Sequence, residues 1–238
     1  MINSKDSQWS DIHQLAKQKR ELHVEKGLKP EEISKIERKI GCKFPPDFVQ
    51  YLSEGFIIGK EFINWRKPNI IEIETIDNNQ EEKENKQKTE LQINSNTNNN
   101  DLSKLLNDVH PAPGLIDEIE GARFNLISGI LHDIINEKFW MDEFGSRPKD
   151  NKKALLQAKE FLKSKAVPSL IPICAHKFIP AEPHEEGNPV FSIHGADSIV
   201  FGSDLRHFMI NEIVDYSPCR KQPKNIPFWS KLAGDVQV

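Results

Sequence analysis

The chain has 238 residues, 37% hydrophobic and 29% charged, with a formal net charge of -4. This length admits one sizeable domain or two small ones. The mild acidic balance lacks the concentrated basic patch that phosphate binding needs, which argues against nucleic acid as the main partner. It suits a basic protein partner and ordinary solubility equally well. Cys42, Cys174 and Cys219 are odd in number and include no C-x-x-C pair. That pattern fits reduced thiols rather than a disulfide framework. The polar opening "MINSKDSQWSDIHQLAKQKREL" has no secretory apolar core, and the apolar runs further on are too short to span a bilayer. A cytoplasmic protein with no membrane association is expected.

In chain order, residues 9–26 read as a helix with Trp9, Ile12, Leu15 and Leu22 on one side, an N-terminal helical extension over 1–26. "LKPEEISKIERKIGCKFPPDFVQYL" carries helix grammar. Pro30 suits a first turn, Glu31 and Glu32 favour the positive end of the helix dipole, Ile33, Ile36 and Ile40 share a face, and Gly41 can cap the end. A second, shorter helix then turns Phe48, Tyr51 and Leu52 inward. Residues 70–76 alternate as a strand with Glu72 and Glu74 outward. From Asp77 to Asp101 only Leu91 and Ile93 are apolar, and "HPAPG" prolongs the irregular stretch, so 77–113 reads as a disordered insertion. Loop-closure entropy grows only logarithmically, so one domain can close around it.

"GARFNLISGILHDIIN" is another apolar, partly β-branched run, placed with the strands, and "KKALLQAKEFLKSKA" is helical. The prolines of "SLIPICAHKFIP" put that strand region at an edge or at its entry to the sheet. In "GNPVFSIHGADSIVFGSDLRHFMINEI", 190–194 is a strand with Phe191 and Ile193 on one face and Ser192 and His194 on the wet one. Gly195-Ala196-Asp197 makes the turn, 198–201 returns, and Ser203 or Asp204 caps a helix bearing Leu205, Phe208, Met209 and Ile213. Helices first, strands next and helices again favour α+β over alternating parallel units.

Several groups invite a chemical reading. Ser192, His194 and Asp197 have triad residue types, but positions 192 and 194 of one strand stand about 6 to 7 Å apart, and no G-x-S-x-G elbow is present. Cys174, His176, His184 and His194 lack the spacing of a metal site, and no metal or cofactor is expected. His132-Asp133 alone is too common a dipeptide to assign. Trp65, Trp140, Phe139 and Phe144 could line a groove, although such aromatics more often form core.

Three blocks in order resemble the SUKH superfamily, the Smi1/Knr4-type domain. The first is the helix signature of Pro30, Glu31, Ile33, Ile36, Glu37, Ile40, Gly41, Phe44, Pro45, Asp47, Phe48, Tyr51 and Leu52. The second is "GILHDIINEKFWMDEFGSRP", with Asp133, Phe139, Trp140, Gly145, Arg147 and Pro148. The third is "LIPICAHKFIP" with the hairpin stretch, where Pro172, His176, Asn188, Ser192, Asp197, Gly202, Leu205 and Glu212 hold the expected order. Lys177 stands where an Arg is commoner, and Phe144 where Trp is often found.

The resemblance implies a single α+β domain over 27–215, a curved, mainly antiparallel sheet with flanking helices, interrupted by the insert and followed by a tail over 216–238. It implies a non-enzymatic protein-interaction module whose partner is a toxin, for an immunity protein, or a signalling protein, for a regulatory adaptor. The Asn tract of the insert leans towards the eukaryotic adaptor. Trp65, Trp140, Arg147, His176, His194 and Asp197 are the residues assigned to binding. The alternative is a small-molecule or nucleotide-binding protein, or a hydrolase, using a groove near Trp140 and His194. Fold alone does not choose between them.

Overall fold

The computed structural model describes residues 8–68, 70–73, 114–219 and 221–234. Helix α1 spans Ser10–Lys17 and α2 spans Pro30–Ile40. Pro30 opens α2, and the Lys29 N–H donates to Glu32 Oε2 at 2.8 Å. Gly41 closes it in the left-handed region at φ 81°, where a side chain would be strained. Helix α3 is Pro46–Glu54. The helix expected over 9–26 stops at Lys17. Residues His23–Lys26 form β1 instead, paired antiparallel with β2, Gly55–Ile58. That pairing joins segments some thirty residues apart, which a local pattern does not report.

Strand β3, Ile70–Ile73, pairs antiparallel with β4, Gly114–Asp117. The insertion expected at 77–113 lies between them, outside the described residues. The following run is helical: α4 spans Glu118–Asn136. Asp117 caps it by accepting from the N–H groups of Ile119 and Glu120 at 3.1 and 3.0 Å. Leu126, Ile130, Leu131 and Ile134 are buried along one side at helical spacing, and this stripe overrides the β-branched composition that suggested a strand. A 3-10 turn, Asp142–Phe144, leads to α5, Asn151–Leu162.

Strands β5 (Leu170–Cys174), β6 (Lys177–Pro180), β7 (Val190–His194) and β8 (Asp197–Gly202) form one antiparallel sheet in sequential order. Pro172 lies on the edge strand β5, where a missing N–H costs least. The sheet is covered on both faces. Ile171, Ile173, Ile179 and Val190 join a core with Trp9, Phe44, Phe48, Tyr51, Phe56 and Trp65. Leu170, Phe178, Phe191, Ile193 and Val200 join a second core with α4, α5 and Trp229. Helix α6, Leu205–Ile213, lies on the first face, and the short α7, Trp229–Leu232, on the second. The expected α+β class, with helices around antiparallel sheets, is what the chain forms.

Candidate functional site

Two hairpin turns, Ala175–His176 and Gly195–Ala196, project from the same end of the four-stranded sheet, and α4 crosses them. The approach is close because two glycines meet. A Cβ on Gly129 would stand 3.2 Å from the backbone of Gly195, and one on Gly195 would fall 2.1 Å from Asp133 Oδ2. Asp133 fastens the contact by accepting from the Ala196 N–H at 2.7 Å, and its other oxygen faces His132 Nδ1 at 3.2 Å. The His-Asp pair therefore holds a turn in place.

Between α4 and the turns lies a cleft of about 430 Å³, lined by Asn125, Gly129, Asp133, His176, Ile193 and His194 among others. The His176 and His194 rings face each other with centroids 3.8 Å apart, tilted by 42°. The His176 carbonyl accepts from the Ile193 N–H at 3.0 Å, which ties one turn to the neighbouring strand. Burial, followed by the charges of Lys177 and His194, holds the His176 imidazole below its ordinary range, so its neutral form is favoured.

The other residues assigned to binding lie elsewhere or are engaged. Trp65 is only 3% exposed and packs edge-on against Phe44 and Phe48, so it belongs to the first core rather than to a groove. Trp140 is half-buried, donates from Nε1 to the Gly145 carbonyl at 2.8 Å, and packs on Phe144. Arg147 sits over the Trp140 ring and donates to the Ile134 and Lys138 carbonyls, completing the C-terminus of α4. Asp197 is exposed opposite His194 across the turn. Ser192, expected on a wet face, is buried beside Lys177 because α6 covers that face. The His194 ring turns to His176, so the triad types do not assemble.

Among the described residues, no group of three or more His, Cys, Asp or Glu could hold a metal ion. All three cysteines are free, and burial pushes their thiols up, that of Cys42 to about 11. High thiol pKa values suit inert structural positions rather than nucleophiles.

The comparisons bear on this arrangement unevenly. The SMI1 / KNR4 family (SUKH-1) matches residues 27–111. Over those residues the chain is similar to the SUKH superfamily. Comparison with curated proteins and with solved structures gives no match. The matched span takes in α2, α3, β2 and β3 and stops before every residue of the cleft.

The polar residues that carry the SUKH resemblance hold the fold together. Glu37, 7% exposed, accepts from the Phe44 N–H at 2.9 Å and pairs with Lys43 at 2.6 Å. Asp47 accepts from the Phe48 and Gly187 N–H groups, joining α3 to the loop before β7, and burial raises its carboxyl above the usual range. Asn188 donates to the carbonyls of Pro180 and Pro183. Lys177 and Glu212 meet at 3.2 Å in the interior, and Lys60 reaches the other Glu212 oxygen at 3.3 Å. Asn125 was missed as a cleft residue, since a lone Asn within an apolar run carries no signal of its own.

Proposed function

We propose that this SUKH-type protein is a non-enzymatic protein-interaction module acting in the cytoplasm, either as a regulatory adaptor or as an immunity protein that neutralises a toxin. The observation that carries the reading is how the motif residues are used. Glu37, Asp47, Asp133, Asn188 and Glu212 are all engaged in backbone or ion-pair contacts. Groups so occupied are poorly placed to turn over a substrate. The β7–β8 turn beside the cleft, with exposed His194 and Asp197, is the face assigned to the partner, since it is polar, accessible and backed by rigid elements. No helix among the described residues is long and apolar enough to cross a membrane.

The test is affinity capture from the native host with wild type and with His194→Glu and Asp197→Lys variants. A partner that binds wild type directly after purification, and binds both variants more weakly, supports the reading. A partner indifferent to both changes removes this face from it. A toxin encoded beside the gene would select the immunity role over the adaptor role.

A second reading, small-molecule or nucleotide binding or hydrolysis, draws support from the cleft itself. Its 430 Å³ is within the range of ligand sites, and His176, His194 and Asn125 converge on it. A melting-temperature screen across metabolites, with a hydrolase panel, decides this reading. A saturable shift abolished by His194→Ala would favour it.

A further inference from the structure

The two facing histidines have a chemistry that protein binding leaves unused. His176 and His194 come from different hairpins and are brought together by the sheet, not by the chain. Neither ring hydrogen-bonds a described residue, so each neutral imidazole has one nitrogen lone pair open to a ligand. Two imidazole nitrogens bound to one zinc ion at about 2.0–2.1 Å stand roughly 3.3 Å apart. Rings sharing one tetrahedral ion have centroids roughly 5 Å apart, so the pair, now at 3.8 Å, opens by side-chain rotation to admit it. The setting also suits a cation. The Asp133 carboxylate lines the same cleft, and the Lys177 charge that bears on His176 is buried and paired with Glu212.

We infer that His176 and His194 form a two-imidazole chelate for an exchangeable late first-row divalent ion such as zinc, nickel or copper. Imidazole nitrogens select these ions over magnesium or calcium, which prefer oxygen. Asp133 acts through its charge and not as a ligand, because its oxygens are held by the Ala196 N–H and by His132. The remaining coordination positions belong to water or to a donor group on a bound partner. With no acceptor among the described residues orienting either ring from behind, the site is exchangeable, not a permanently filled structural centre. The inference is independent of the protein-binding reading.

The experiment is calorimetric titration of the chelator-treated full chain with nickel and with zinc chloride at about pH 7.5. Wild type is compared with His176→Ala, His194→Ala, the double variant and His184→Ala as a control. One ion per chain is expected, with affinity reduced at least tenfold in each single variant. The double variant should be little weaker than either single one, because a chelate is lost when one arm is removed. His184→Ala should bind as wild type does. Lowering the pH to about 5.5 should weaken binding as protons compete for the imidazoles. Circular dichroism checks folding, and His194→Phe, at an exposed position, keeps a ring against His176 while deleting the ligand. No stoichiometric binding by wild type, or affinity unchanged in His194→Ala and His194→Phe, overturns the proposal. Affinity lost equally in His184→Ala overturns it as well.

Discussion

The two faces of the four-stranded sheet are closed to different degrees. Against the first face pack Trp9, Phe44, Phe48, Tyr51, Phe56 and Trp65, none more than 3% exposed. Against the second, Phe144 and Trp229 are buried while Phe139, Trp140 and Phe161 are only partly covered. Two openings adjoin this second face: the histidine cleft, and an apolar groove of about 600 Å³ between α4, α5 and Trp229. The sealed face supplies stability, and the looser one leaves room for ligands. The described part of the family match, residues 27–68 and 70–73, includes α2, α3 and β2, whose buried side chains belong to the sealed face.

The largest effect that would break this comparison is a tryptophan swap between the faces. Trp65→Ala should cost about 3 to 5 kcal/mol in denaturant unfolding, since a closed core cannot collapse around the void. Trp140→Ala, on the half-open face, should cost about 1 to 2 kcal/mol. Equal costs would erase the distinction. Next is the interior ion pair on the sealed face. Glu212→Gln strands the Lys177 ammonium and should lose about 3 kcal/mol, whereas Lys177→Met combined with Glu212→Leu should recover most of it. A double variant as unstable as the single would show that the pair does more than neutralise itself.

On the open face, Asp133→Ala frees the Gly195–Ala196 turn and should cost about 1 to 2 kcal/mol. Faster hydrogen exchange at Ala196 is the specific readout. A smaller effect concerns pH. His13 is buried against the Gly55 carbonyl and His176 lies in the cleft; burial lowers both from the ordinary 6.5. The unfolded chain then takes up protons first as pH falls, so their contribution is full above about 6.5 and declines below it. Melting temperatures measured from pH 7.5 downward should fall less steeply in His13→Gln than in wild type. The smallest expected effect is that of Asp197→Ala, under about 1 kcal/mol, because the side chain is exposed.

Much of the scaffold was legible in the chain. Pro30, the Ile33/Ile36/Ile40 stripe and Gly41 marked α2, and the alternation around Gly195-Ala196 marked the β7–β8 hairpin with Asp204 as the following cap. The helical stripe of α4 is diluted by Gly121, Ser128, Gly129 and several isoleucines, which is why its composition resembled a strand. Of the residues assigned to binding, His176 and His194 do meet in one cleft, while Trp65 sits in the core and Arg147 caps α4.

The division follows from range. Caps, turns and apolar periodicity act within a few residues, so the sequence by itself determined the limits of α2, the hairpin and the α+β class. Which face each aromatic seals, that β1 is a strand, that Lys177 finds Glu212, and that His176 reaches His194 all depend on contacts between segments far apart in the chain. Only the tertiary structure decided those, because a side chain's role there is set by what the rest of the fold lays against it.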